Sequence, residues 1–296
     1  MNKKCTLCPR NCGVNRDEAL GVCQVSSKVK VARAALHFWE EPCISGENGS
    51  GAVFFSGCPL HCVFCQNEEI SHGKVGKEIT TEQLAKIYLN LQKQGANNIN
   101  LVTGTHYIPK IVDSVKMARQ EGLIIPIIYN TSGYETVESL KLLEGIVNVY
   151  LPDFKYWDEE LSTKYSHSKD YPQVAKAAIA EMVRQVGEPQ FNEEGFIQSG
   201  VIVRQLLLPG HTKDSKAILE YLYQTYENRI YVSLMSQYTP MPHIAEKYPE
   251  INRRVTKREY ESVVDYALEL GFENAFIQDR TVAKESFIPE FSNEFL

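Results

Sequence analysis

No stretch of the sequence approaches the apolar length needed to cross a bilayer, and there is no internal repeat and no low-complexity tract. One catalytic domain with small appendages is the default that remains. The chain also lacks an excess of basic charge: 31 Lys and Arg face 37 Asp and Glu, for a formal net charge of -6. Phosphates are held by clustered positive field, and no basic stripe stands out, so neither a nucleic-acid nor a membrane partner is expected. The opening Met1-Asn2-Lys3-Lys4-Cys5 has no apolar core of a secretory leader, which sets the expectation of a cytoplasmic protein.

Cysteine is what the sequence does have, eight times in 296 residues. In a reducing compartment, closely spaced thiols more often bind metal or carry redox chemistry than form structural disulfides. A hydrophobic content of 43% over this length is enough to bury one large core.

Residues 1–49 hold five of the eight cysteines and end in the Gly- and Ser-bearing stretch Ser45-Gly46-Glu47-Asn48-Gly49-Ser50-Gly51, which reads as a Cys-rich, metal-binding N-terminal appendage. Residues 50–296 read as the core with a C-terminal extension. Strand-like runs are expected at 52–56, 99–103, 125–130, 147–153, 201–208, 230–235 and 275–277. Helical patterns follow most of them, at 108–120, 136–143, 175–186, 215–225 and 257–270. A first helix opens at Thr80-Thr81-Glu82-Gln83 with a Thr cap and stops before Gly95. The segments 156–171 and 187–200 read as solvated excursions. Alternating strands and helices predict an α/β fold, a full or partial (β/α) barrel, with its chemistry at the carboxyl ends of the strands.

At the end of the first such strand stands Ser56-Gly57-Cys58-Pro59-Leu60-His61-Cys62-Val63-Phe64-Cys65, a Cys-x3-Cys-x2-Cys loop. A cubane cluster wants four ligands, so three thiolates leave one iron open to a substrate. The competing reading is a zinc knuckle completed by His61 or His72, although His61 lies inside the loop and would strain a tetrahedral arrangement.

This spacing, with the aromatic Phe64 before the last cysteine, resembles the radical S-adenosylmethionine (SAM) superfamily. Within it the chain is most similar to homologues of the pyruvate formate-lyase activating enzyme that carry extra N-terminal cysteines. The resemblance runs from the opening cysteines to Gln237. It implies a 4Fe-4S cluster on Cys58, Cys62 and Cys65, with SAM chelating the open iron. One electron, from a flavodoxin or ferredoxin-type reductant, would cleave a carbon-sulfur bond to give a 5'-deoxyadenosyl radical that abstracts hydrogen from the substrate.

The resemblance also assigns cofactor-binding residues. Phe64 belongs to the cluster motif. Thr103-Gly104-Thr105-His106 stands where the family has Gly-Gly-Glu, so Thr103 would face the SAM amino group, with a hydroxyl cap on the next helix as the alternative use of Thr103 and Thr105. Asn130-Thr131-Ser132-Gly133 resembles the family's Asp-Thr-Asn-Gly turn, and Asp153-Phe154-Lys155 its Asp-x-Lys motif, in which Lys155 would pair with the SAM carboxylate. The family's two aspartates at Asn130 and Asp153 help hold a monovalent cation, which the asparagine puts in question. Arg204 lies in a strand whose family Arg interacts with SAM, and a charge in such an apolar run needs a partner. Tyr238 stands where the family has a His near the adenosine.

Cys5, Cys8, Cys12 and Cys23 make a closed set of four thiols, fit for a zinc ion or a second iron-sulfur cluster. Cys43, beside Pro42, reads as a small buried residue. The leading function is a radical-initiating enzyme acting on the glycine backbone of a protein partner, as a glycyl-radical-enzyme activase does. The alternatives are the same radical acting on a small molecule, and a non-enzymatic iron-sulfur electron carrier or sensor.

Overall fold

The computed structural model describes residues 4–278. The strands are β1 (Val29–His37), β2 (Ser50–Phe55), β3 (Lys77–Ile79), β4 (Ile99–Val102), β5 (Ile127–Thr131), β6 (Val149–Pro152), β7 (Gln190–Phe191), β8 (Ile197–Leu206), β9 (Tyr231–Met235) and β10 (Ala275–Ile277). Their order in the sheet is β10-β9-β8-β6-β5-β4-β2-β1-β3, with β7 a short hairpin partner of β8. From β2 through β10 every neighbouring pair is parallel. β1 runs antiparallel on β2, and β3 antiparallel on β1. The fold is α/β, and of the two forms expected the described residues make the partial barrel, an open sheet.

The helices follow in chain order as α1 (Pro42–Ser45), α2 (Glu68–Ser71), α3 (Thr81–Lys93), α4 (Ile108–Gln120), α5 (Val137–Lys141), α6 (Glu159–Ser166), α7 (Tyr171–Val186), α8 (Thr212–Tyr226), α9 (Ile244–Lys247) and α10 (Lys257–Leu270). Their apolar faces cover the convex side of the sheet in one large core that includes Leu84, Tyr88, Ile111, Ile179, Leu219 and Val263. The Thr80 cap forms as a full capping box, Gln83 N–H donating to Thr80 Oγ1 at 3.2 Å and Thr80 N–H to Gln83 Oε1 at 2.9 Å. α4 has the bounds its periodicity predicts.

Three elements differ from expectation. The sheet crosses the boundary drawn at residue 49, because β1 pairs with β2 from Val31↔Phe55 to His37↔Ser50; its half-polar sequence VKVARAALH reads weakly as a strand because one face is only partly covered. The supposed excursion 156–171 carries α6, capped by Asp158, and buries Tyr156, Tyr165 and Tyr171 completely. Residues 187–200 make the β7–β8 hairpin, so β8 starts earlier than the predicted 201. The end of the C-terminal extension, residues 279–296, lies outside the described residues.

The concave side is filled from below by the chain itself. Between β1 and β2, α1 turns inward, and its Cys43 and Ile44 pack against Ile128, Val149, Leu151 and Ile202. Cys43 is thus the small buried residue expected. Asn98 Nδ2 donates to Ile44 O at 2.8 Å and Asn97 Nδ2 to Ser45 O at 2.7 Å, which fixes the insertion to the start of β4.

Candidate functional site

Cys58, Cys62 and Cys65 lie on the loop that leaves the carboxyl end of β2, each a free, half-buried thiol. Hydrogen bonds already point at the sulfurs: the Ser166 hydroxyl donates to Cys62 Sγ at 2.9 Å, and Leu60 N–H to Cys58 Sγ at 3.4 Å. Burial, and then the neighbouring Cys62, push the Cys58 thiol up to about 11 and the Cys65 thiol up to about 12. Such thiols lose their protons when a metal takes the proton's place. Among the described residues, no three His, Cys, Asp or Glu side chains form the sphere of a single metal ion. A cluster asks something different of its ligands, each thiolate standing on its own iron, and three soft donors on one loop fit that demand.

The zinc alternative finds no such sphere among the described residues. One ring nitrogen of each histidine is tied to a backbone carbonyl, His61 Nε2 to Val22 O at 2.8 Å and His72 Nδ1 to Glu68 O at 2.9 Å.

Next to the triad lies a charged network on the ends of β5, β6 and β8. Lys155 Nζ meets Asp153 Oδ2 at 2.5 Å; Arg204 donates from Nε to Asp153 Oδ1 at 3.1 Å and from Nη2 to Asn130 Oδ1 at 2.6 Å. Burial works against both charges, yet Lys155 and Arg204 together hold the Asp153 carboxyl below its ordinary value, and Asp153 raises Lys155 in turn. Lys155 is also close enough to the triad to feel the charge of Cys62. The structure therefore brings together four of the residues singled out in the sequence, Asn130, Asp153, Lys155 and Arg204. The space between Asn130 and Asp153, where the resemblance implies a monovalent cation, holds the Arg204 guanidinium instead.

A fifth member of that network was not foreseen. Glu40, on the turn entering α1, accepts from Arg204 Nη1 at 3.2 Å, Asn100 Nδ2 at 3.0 Å and Asn130 Nδ2 at 3.3 Å. The usable signal was Glu40-Glu41-Pro42 directly after a strand, two acids with no basic neighbour in a segment read as an appendage. Alongside runs a cavity of about 510 Å³, lined by Gln66 and Asn67 beyond the triad, by Asn130 and Arg204, by Glu40 and Glu41, and by Phe54, Met235 and Phe276. That volume is typical of small-molecule sites.

Other side chains are used differently from the expectation. Phe64 is packed edge-on among Tyr156, Tyr165 and Tyr238. Tyr238 is buried behind it with its hydroxyl on Ile251 O at 2.9 Å, so the phenol supports the cluster loop instead of facing the cavity. Strand alternation turns Asn130 inward and Thr131 to the helix side. There the hydroxyls of Thr131, Thr105 and Tyr129 all donate to Oε1 of the buried Glu135. Neither Thr103 nor Thr105 caps the following helix; Thr103 instead takes a left-handed backbone, φ 59°, with its N–H on Asn130 O at 2.9 Å.

The N-terminal cysteines sit against the back of the cluster loop. Cys8 and Cys23 are buried and Cys5 and Cys12 half-buried. A Cβ on Gly21 would lie 3.4 Å from Cys23 Sγ and 3.6 Å from Cys12 Sγ, and Cys5 hydrogen-bonds Cys12. Arg10 Nε donates to Pro59 O at 2.7 Å, next to Cys58.

The model of the radical SAM superfamily matches residues 52–222, from β2 into α8. The chain belongs to the radical SAM superfamily. An uncharacterised protein of Methanocaldococcus jannaschii is 31% identical over 273 residues, 90% of this chain and 74% of that protein. The pyruvate formate-lyase-activating enzyme of Clostridium pasteurianum is 25% identical over 122 residues, 40% of this chain and 50% of that enzyme. In fold, the radical SAM chain resembles Streptococcus suis SuiB bound to S-adenosylmethionine, with a TM-score of 0.52 and 14% identity over 80% of this chain and 51% of that one. Members of this superfamily use SAM and a 4Fe-4S cluster for radical chemistry. Among the described residues no helix is long and apolar enough to cross a membrane.

Proposed function

We propose that Cys58, Cys62 and Cys65 hold the 4Fe-4S cluster, that Lys155 and Arg204 face the carboxylate end of SAM, and that the cavity beside them receives the substrate hydrogen donor. When bound, the cluster and SAM supply a 5'-deoxyadenosyl radical. The chain's own work is to fix SAM by charge, to keep water out behind Phe54, Met235 and Phe276, and to aim the reaction into the barrel. The observation that carries this is the placement of Lys155, a buried cation held by Asp153, within electrostatic reach of Cys62 at the end of the neighbouring strands.

An activase-like reaction, abstraction of hydrogen from a protein partner with a flavodoxin or ferredoxin-type reductant, is supported by the activating-enzyme relative. A small-molecule substrate is the second reading, favoured by the way α1 fills the barrel from below and leaves about 510 Å³. For the N-terminal thiols we favour a second iron-sulfur cluster or a zinc ion that locks the segment onto the cluster loop. A cytoplasmic location goes with either. The test is anaerobic: the reduced, iron-reconstituted protein should convert SAM to 5'-deoxyadenosine, and Lys155→Ala should keep its iron while binding SAM at least tenfold more weakly. No 5'-deoxyadenosine from protein with an intact cluster would leave an electron carrier or sensor as the better account.

A further inference from the structure

Among the described residues two carboxyl oxygens are buried without a hydrogen-bond partner, Oε2 of Glu41 and Oε2 of Glu135. Glu135 is enclosed by hydroxyls away from the cavity, whereas Glu41, only 9% exposed, lines it. Its backbone has no freedom to turn away. Pro42 confines Glu41 to the extended region, where it sits at φ -51° and ψ 143°, and its carbonyl accepts from Ile44 N–H at 2.8 Å and Ser45 N–H at 3.1 Å.

The charges around it do not balance. Arg204 is engaged by Asp153, Glu40 and Asn130, and Lys155 by Asp153, so among the described residues of this network two cations answer three carboxyls once Glu41 is counted. His37, the other basic group lining the cavity, is kept neutral by burial and by Arg33 and Arg204. Burial pushes the Glu41 carboxyl above its ordinary value; the nearby Arg204 charge and a hydrogen bond from Ser233 offset only part of that rise, and Glu40 adds to it. A carboxylate left unpaired in such a place is costly, and a protein that keeps one at the wall of a cavity has a use for it when the cavity is filled. The wall is mixed: beside the neutral polar groups Gln66, Asn67, Gln237 and Gln278 it carries Phe38, Phe54, Met235 and Phe276, a surface that suits the stem and the face of an organic cation.

We propose that the Glu41 carboxylate is the docking point for an organic cation, an ammonium or guanidinium on an apolar stem, and that the substrate of the radical reaction carries this group. The inference rests on the function proposed above and adds the substrate's chemical class. The cation has two sources, a free small amine or guanidine, and a lysine or arginine side chain of a peptide.

The experiment is anaerobic titration calorimetry on the full chain with its cluster reconstituted and SAM at saturation, without reductant. The probes are agmatine, the capped residue Nα-acetyl-arginine amide, neutral 1-pentanol and anionic glutarate. At least one of the two guanidinium compounds should bind, with affinity reduced tenfold or more in Glu41→Gln, while glutarate and pentanol do not bind measurably. Preference for agmatine assigns a free small molecule; preference for the capped arginine assigns a peptide side chain. Absence of binding by both cations, equal binding of glutarate, or a Glu41→Gln variant that binds the cation as the parent does would each overturn the proposal. A second readout does not depend on any probe: Glu41→Leu should raise the melting temperature of the SAM-free protein, since it removes a strained group, and a fall would mark Glu41 as a scaffold residue and overturn the assignment. Iron content and SAM saturation of the parent, measured first, report on the radical SAM reading separately from the cation result.

Discussion

Arg204 Nη1 and Glu40 Oε2 stand 3.2 Å apart although 164 residues separate them in the chain. The contact joins the last strand end of the charged network to the turn that enters the barrel from below, so the N-terminal segment is part of the site and not an accessory to it. Breaking a buried ion pair by removing one partner typically costs about 3–5 kcal/mol, because the survivor is left uncompensated. Glu40→Ala should accordingly lose about 3 kcal/mol of stability, at the low end because Asp153 still answers Arg204. Adding Arg204→Met to Glu40→Ala should recover part of the loss. Denaturant unfolding of the two single variants and the double checks this, and strictly additive losses would show that the pair is not coupled.

Ser166 reaches Cys62 across the aromatic cluster, its hydroxyl 2.9 Å from the sulfur. Hydrogen bonds to cluster sulfurs stabilise the reduced, more negative state and so raise the reduction potential. The Ser166→Ala protein should bind the same amount of iron as the parent and reduce at a lower potential, read by an EPR-monitored redox titration. An unchanged potential would mean that the hydroxyl does not act on a cluster ligand.

Glu135 gives a pH dependence with a definite sign. Burial, only partly offset by the hydroxyls of Thr131, Thr105 and Tyr129, pushes its carboxyl up to about 7. Between the ordinary carboxyl value and about 7 the folded chain therefore holds a proton that the unfolded chain has lost, so folding is favoured at the acid end and weakened as pH rises through that window. The rise from the ordinary 4.5 to about 7 corresponds to roughly 3 kcal/mol. Glu135→Gln, which cannot ionise, should gain on the parent by up to that amount between pH 4.5 and pH 8. Unfolding curves at the two pH values test it, and a constant difference would place the Glu135 titration elsewhere.

Much of this was legible in the sequence because it is written in local signals. The capping box at Thr80 and Gln83, the helix over 108–120 and the strands that begin near 52 and 99 follow from periodicity and capping chemistry alone. Asn130, Asp153, Lys155 and Arg204 were readable because each stands at the end of or within an apolar run, where a polar residue has little reason to be. Glu40, Glu41 and Glu135 were not readable in the same way. Their meaning comes from what they meet, Arg204 from a strand far along the chain and three hydroxyls from two separate elements, and a local signal such as Glu40-Glu41-Pro42 does not say what is met. The surroundings of Thr131 and Tyr238 were hidden for a related reason: a resemblance assigns a position, while the pleat and the packing decide which way the side chain faces.

The account stands on three thiolates holding a cluster with one iron left open, and Mössbauer spectroscopy of the oxygen-free, iron-57-reconstituted protein reads that iron directly. With Cys5, Cys8 and Cys12, three of the four N-terminal thiols, replaced by Ala so that only the triad can carry iron, one site in four should change its isomer shift when SAM is added. Four sites indifferent to SAM, or zinc in place of iron at Cys58, Cys62 and Cys65, would contradict it.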